Sequence, residues 1–187
     1  LIFEVCRILI NFIKLEIVYN LFEMEKKGVS AVIASYNEAP RIGNVLKALS
    51  KSNLLTEIIV IDDGSKDNTK EIVSKFKNIK YIRNKTNMGK GYSMERGANL
   101  SKYEIIFFCD ADLRKLTPEI VDAIIEPVLN GETEMFIGIR DNFTQKTWKF
   151  VAHWSGERAL KKELWMKVPL FYKKGYRIEV GLNNFVK

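Results

Sequence analysis

Three short polar clusters in the 187-residue chain follow directly on apolar runs: Ser35-Tyr36-Asn37-Glu38, Asp62-Asp63-Gly64-Ser65 and Asp110-Ala111-Asp112. Asp110 and Asp112 are spaced so that both carboxylates can turn toward one point in a loop. Two hard oxygen donors suit Mg2+ or Mn2+, ions that keep several waters and bridge to substrate phosphates. Such an ion neutralises charge on a leaving diphosphate. A fourth cluster, Asn87-Met88-Gly89-Lys90-Gly91, offers backbone N–H groups and a lysine at a helix start, a cradle for phosphate. It matches neither GxxxxGK followed by Ser or Thr nor GxGxxG, which counts against a P-loop and against a dinucleotide cofactor. Taken singly, an Asp-Gly pair is often a turn and an Asp after a strand is often a helix cap. Three clusters on one edge are much harder to assign to turn chemistry.

The elements that must position these groups follow from periodicity. Val29–Ala34, Glu57–Ile61, Lys80–Arg83, Glu104–Cys109 and Met135–Ile139 read as strands, mostly continuous apolar runs. Between them, Arg41–Ser50 carries Ile42, Val45, Leu46 and Leu49 at helical spacing. A helix is expected over Asp67–Lys77 with Ile72, Val73 and Phe76 inward, and another from the Asn87–Gly91 cluster to about Leu100. Thr117-Pro118-Glu119 opens a further helix, with Thr as N-cap and Ile120, Ile124 and Val128 expected inward. Because Thr117 already caps that helix, Asp110 and Asp112 are not needed for the purpose. Apolar strands alternating with helices predict an α/β fold: a three-layer α/β/α sandwich around a mostly parallel sheet. In such sheets ligands bind outside the carboxyl ends of the strands, where the polar clusters lie.

Composition narrows the class. The apolar fraction is 47% with 28% charged residues, which excludes wholesale disorder. Two cysteines make no disulfide framework, and one histidine makes no His-rich zinc site. The net charge of +7 is uneven: Arg140 to Lys187 holds 11 basic and 4 acidic residues, so residues 1–139 carry 19 of each sign. No helix-turn-helix, zinc or RNP-like pattern accompanies the basic residues, so a nucleic-acid partner is not expected.

Residues 1–27 read as an N-terminal extension. Glu4, Arg7, Asn11 and Lys14 form one polar stripe, the pattern of an amphipathic helix lying on a membrane or on the domain. The charges argue against a membrane span, and there is neither a basic n-region nor a small-residue cleavage site for a signal peptide. The first residue is Leu, which reads as a fragment, a processed product or a frame opened at an unusual start codon, with Met24 as an alternative start. The stop after Val186-Lys187 reads as a truncation.

The strings VSAVIASYNEAPRIGNVLKAL, EIIVIDDGSKDNT, NMGKGYSMERGA and EIIFFCDADL, in this order from about Val29 to Arg140, resemble the family 2 glycosyltransferases with the GT-A fold. The resemblance assigns residues 28–187 to one such domain, with 140–187 as its acceptor-side part. It implies a nucleotide-diphospho-sugar donor, UDP- or GDP-linked, a divalent metal, and transfer of a hexose to an acceptor hydroxyl. Carried over by position, Ala34, Tyr36 and Glu38 would line the nucleotide pocket, and Asp62 or Asp63 would contact the base. Gly89 and Lys90 would lie beside the donor, and Asp110 and Asp112 would form the DxD pair on the metal. Ser155–Leu164, followed by Gly175-Tyr176-Arg177-Ile178-Glu179-Val180-Gly181, looks like the branch that includes glucosyl-3-phosphoglycerate synthases; the dolichyl-phosphate sugar transferases are the other branch it is similar to, although their acceptor motifs are not clearly present. The resemblance places Glu157 and Arg158 at the acceptor and makes Glu179 the candidate base of an inverting reaction. His153 reads as a structural residue more than a site residue.

The expected acceptor is anionic, a phosphorylated small molecule or a polyprenyl phosphate, since the basic excess falls in the acceptor-side quarter. The expected location is the cytoplasm; peripheral contact with the cytoplasmic membrane face and pairing into a homodimer are left open. A catalytically inactive remnant and a sugar-phosphate nucleotidyltransferase are the alternatives. The latter carries a Gly-rich first loop with a basic residue, which Ser35–Glu38 is not.

Overall fold

A computed structural model describes residues 28–138, 156–173, 178, 181 and 182. The chain order is β1 (Val29–Ser35), α1 (Ala39–Leu49), β2 (Glu57–Asp62), α2 (Thr69–Val73), β3 (Ile79–Arg83), α3 (Lys90–Leu100), β4 (Ile105–Asp110), α4 (Pro118–Leu129), β5 (Met135–Ile137), β6 (Arg158–Lys161) and α5 (Lys162–Lys167). The strands form one sheet in the order β3-β2-β1-β4-β6-β5. The first four are parallel, whereas β6 runs antiparallel to both β4 and β5.

Successive side chains on a strand face opposite ways, so each strand contributes to two cores. Ala31 and Ile33 of β1, Val60 of β2 and Phe107 and Cys109 of β4 join Ile42, Val45, Leu46 and Leu49 of α1 and Val121, Ile125 and Val128 of α4. On the other face Val32, Ile106, Phe108 and Leu160 pack with Met94 and Ala98 of α3, Trp165 of α5, and Ile178 and Leu182. These are the three layers expected from the apolar runs. Gly97 permits the close approach of α3, since a Cβ there would overlap the side chain of Val32.

Three expectations need correcting. The helix expected over Asp67–Lys77 is only Thr69–Val73. At its start Asp67 accepts from the Thr69 amide, and at its end the Ser74 hydroxyl donates to the Glu71 carbonyl, the competition with helix that short polar side chains offer. Ile120 is exposed, because the buried stripe of α4 is Val121, Ile124, Ile125 and Val128. Thr117 does cap that helix, its hydroxyl accepting from the Ile120 amide. Finally, β4 runs on through Asp110, so this carboxylate stands on the last residue of a strand and Asp112 on the turn beyond it. The expected helix in residues 1–27 lies outside the described residues.

Candidate active site

Strands β2 and β3 lie on one side of β1 and β4 on the other, so the order of connection reverses between β1 and β4. Loops leaving two such strands diverge and open a crevice at their carboxyl ends. A cleft of about 480 Å3 occupies that place. Its lining includes Ala34, Tyr36 and Glu38 after β1, Asp63 after β2, Gly89 and Lys90 at the start of α3, and Asp110 and Asp112 after β4. Eight of the residues expected at a donor site thus share one cavity. Asp62, Glu157 and Arg158 are not among its lining residues.

The loop after β1 is tied to the loop after β2. The Asn37 amide donates to the Ser65 hydroxyl (2.9 Å), the Glu38 amide to the Thr69 hydroxyl (3.0 Å) and the Ala39 amide to Asp67 (3.0 Å). The Asn37 side chain returns the tie by accepting from the Lys66 amide at 2.7 Å, with its own backbone in the left-handed region. Glu38 is gripped through both oxygens by the Arg41 guanidinium, each contact 2.7 Å. Burial holds the Glu38 carboxyl above the usual glutamate range, against the pull of that hydrogen bond and charge.

The two aspartates after β2 have different partners. Asp62 is fully buried and accepts from the Ser65 amide and the Tyr81 hydroxyl. Burial and the neighbouring Asp62 carboxylate push the Tyr81 phenol well above its ordinary range. Asp63 accepts from the Asn84 side-chain amide (2.7 Å), the Met88 amide (2.9 Å) and the Gly89 amide (2.7 Å). Its carboxylate therefore organises the loop that delivers Gly89 and Lys90 to the cleft. Gly64 makes room: at φ +82° it lies against the backbone of Thr86, where a Cβ would collide.

On the facing wall, Lys90 Nζ is 2.7 Å from Asp110 Oδ1, and Arg41 Nη1 is 3.8 Å from Asp112 Oδ2. Gly156, just before β6, leaves room for the Asp110 carboxylate, since a Cβ there would overlap it. The two carboxylates fit a hard divalent ion. They offer oxygen donors only, they line an open cleft, and no group of three or more His, Cys, Asp or Glu among the described residues could enclose an ion without added ligands. That donor set suits an ion completed by water and phosphate oxygens.

Glu157 and Arg158 are buried, and Arg158 lies on β6 opposite Phe108 of β4 and Ile137 of β5. His153 and Glu179 lie outside the described residues, although Ile178 beside Glu179 is buried in the second core. Arg41, Asn84 and the Asp67–Thr69 pair were missed as positioning residues. The spacing Asp67-x-Thr69 is an Asx-type turn signal that could have found the last of these.

Residues 30–181 match the model of glycosyl transferase family 2. The chain is 34% identical over 115 residues to a 4,4'-diaponeurosporenoate glycosyltransferase of Staphylococcus haemolyticus, covering 56% of this chain and 31% of that one. It is 38% identical over 94 residues to a dolichyl-phosphate beta-glucosyltransferase of Trichomonas vaginalis, covering 43% and 28%. Among solved structures, the glucosyl-3-phosphoglycerate synthase of Mycobacterium tuberculosis in complex with Mn2+, UDP-glucose and phosphoglyceric acid superposes with a TM-score of 0.69 at 24% identity, over 83% of this chain and 64% of that one. The fold is GT-A. The chain belongs to glycosyl transferase family 2, and it spans about half the length, or less, of the curated relatives it matches.

Proposed function

We propose that this chain transfers a hexose from a UDP- or GDP-sugar to an acceptor hydroxyl with the help of Mg2+ or Mn2+. The observation that carries the reading is the meeting of Asp110, Asp112, Lys90 and the amino end of α3 in one cleft at the β1/β4 switch point. Glu38, Asp63, Asp110 and Asp112 outnumber Lys90 and Arg41 there, so a diphosphate entering without a cation would meet net negative charge. Asp110 and Asp112 would hold the metal, which when bound supplies electrostatic relief to the departing nucleoside diphosphate. Lys90 and the N–H groups at the start of α3 bind the phosphates from the other side. Tyr36 and Asp63 face the nucleoside. Of the two aspartates after β2, Asp63 is the one that lines the cleft, with three donors already on its carboxylate.

The acceptor is anionic in this reading. Support comes from the net +7 of residues 140–187 and from the names of the relatives, one a dolichyl-phosphate transferase and one a complex with phosphoglyceric acid. Glu157 and Arg158 serve the acceptor side as buried supports, and Glu179 is the base of an inverting transfer. No helix among the described residues is long and apolar enough to cross a membrane. The test is a donor screen with UDP-glucose, UDP-GlcNAc and GDP-mannose in Mn2+ or Mg2+. Metal-dependent turnover of one donor, abolished in Asp112→Ala, is the expected result; an Asp112→Ala protein that turned over the donor at the normal rate would sink the metal assignment.

A further inference from the structure

Each carboxylate of the Asp110/Asp112 pair faces a cation of the chain itself. Lys90 lies 2.7 Å from Asp110, and Arg41, held mainly by Glu38, lies 3.8 Å from Asp112. The position of Lys90 is unusual for a lysine. It is the first residue of an eleven-residue helix whose first turn contains no acidic side chain. A positive charge at a helix amino end is disfavoured by the helix dipole, so the contact with Asp110 offsets a local electrostatic cost. A dication arriving alone at Asp110 would displace that contact and leave the ammonium facing both a dipole and an ion of its own sign. A diphosphate arriving with the dication gives Lys90 a new partner at the same helix end.

We infer that Lys90 is an internal stand-in for the divalent ion, which keeps the Asp110/Asp112 pair from binding metal until a nucleoside diphosphate arrives. The inference rests on the metal-dependent reading above and adds a property that reading does not require. Metal and nucleotide bind with strong positive coupling, and most of the coupling resides in one side chain. Arg41 contributes less, because its contact with Asp112 is longer and it is bidentate on Glu38. By linkage, the factor by which UDP tightens Mn2+ equals the factor by which Mn2+ tightens UDP.

The experiment titrates Mn2+ into the full chain, following free ion by electron paramagnetic resonance, first without nucleotide and then in saturating UDP. Wild type is expected to bind Mn2+ weakly alone and tightly with UDP. Lys90→Met is expected to bind Mn2+ alone about tenfold tighter than wild type, the scale set by removing one positive charge from beside a dication in a solvated cleft. The same variant should bind UDP more weakly, and the mutual enhancement should shrink. Lys90→Arg keeps the charge and should keep the weak metal binding. Lys90→Met in an Asp110→Asn background should show no gain, since Asp110 is the group released. If Lys90→Met binds Mn2+ alone no tighter than wild type, while Mn2+ and UDP still bind together, the stand-in role is overturned and the proposed function survives. If Lys90→Arg is as tight as Lys90→Met, charge is not the cause and the inference fails. If wild type binds no Mn2+ even in saturating UDP, the metal reading and this inference fall together.

Discussion

Asp63→Asn removes one oxygen and one charge from the group that organises the phosphate-facing loop. The outcome can be worked from its three partners. Oδ1 accepts from Asn84 and Met88, and Oδ2 from Gly89. An asparagine retains one oxygen and places an NH2 where the other stood. If the NH2 faced Asn84 and Met88, two donors would oppose it, so it turns to Gly89 and opposes one. The Gly89 bond is then lost, and the other two weaken from charge-assisted to neutral. A hydrogen bond to a charged group contributes about 1.5–3 kcal/mol and a neutral one about half that, so with the low end taken for each bond the sum is about 3 kcal/mol. For a domain of this size the melting temperature should fall by roughly 6–12 °C. Opening of the loop should raise exchange at the Gly89 amide about 100-fold, readable by hydrogen–deuterium exchange over residues 86–91. UDP affinity should fall with it, because Lys90 follows Gly89 directly. A pure base contact would instead lower UDP affinity while leaving melting and exchange unchanged, and that result would refute the loop-organising role.

Gly156→Ala places a methyl group in the space of the Asp110 carboxylate. It should weaken Mn2+–UDP binding by about tenfold or more, with overpacking of about 1–3 kcal/mol seen in denaturant. Asp67→Asn loses charge at the acceptor of the Ala39 and Thr69 amides. Burial acts to raise the Asp67 carboxyl, but bonds from Thr69 and Ala39 outweigh it and hold the group below its ordinary value. Its contribution is therefore full above the unfolded value near about 3.9 and lost as pH falls through the lower folded value. The stability difference between wild type and Asp67→Asn should shrink over that acid window and be constant at neutral pH. Lys173 is buried and sits 2.8 Å from Glu95, which also accepts from the Trp165 indole at 2.6 Å. Lys173→Met alone should destabilise by about 3–5 kcal/mol, and Lys173→Met with Glu95→Gln by less than the sum of the singles, measured as a double-mutant cycle in urea.

The parallel half of the sheet could be read directly because its inner strands are covered on both faces and therefore mostly apolar, as in Val29–Ala34 and Glu104–Cys109. Its polar strand ends stood out against those runs, and together with the Gly89-Lys90 helix start and the family resemblance they made eight of the cleft residues recognisable. Other features left weaker traces. β6 is four residues, Arg158 to Lys161, charged at both ends, and its pairing with β4 depends on a partner about 50 positions away, which no local pattern encodes. The shortness of α2 depends on side-chain bonds from Asp67 that override a helical spacing. The different partners of Asp62 and Asp63 depend on which face of the β2 terminus each meets, and identical residue types cannot distinguish that. The acceptor side stays an expectation: the resemblance places Arg158 at the acceptor, and the residue is buried in the sheet.

The insertion of β6 between β4 and β5 also bears on how the molecule is assembled. During synthesis β4 can pair with β1 as soon as it emerges, but its other edge waits for residues made roughly 50 positions later, a delay of seconds at ordinary translation rates. Until then Ile105-Ile106-Phe107-Phe108-Cys109 presents an uncharged, aromatic and β-branched rim with unpaired backbone groups, the composition that adds strands from other chains. Among the described residues the outer strands are blunt: β3 carries Lys80 and Arg83, and β5 is three residues long. Aggregation during expression is thus a hazard of the nascent chain rather than of the folded one, and substitutions that delay β6, such as a proline at Ala159, should lower soluble yield.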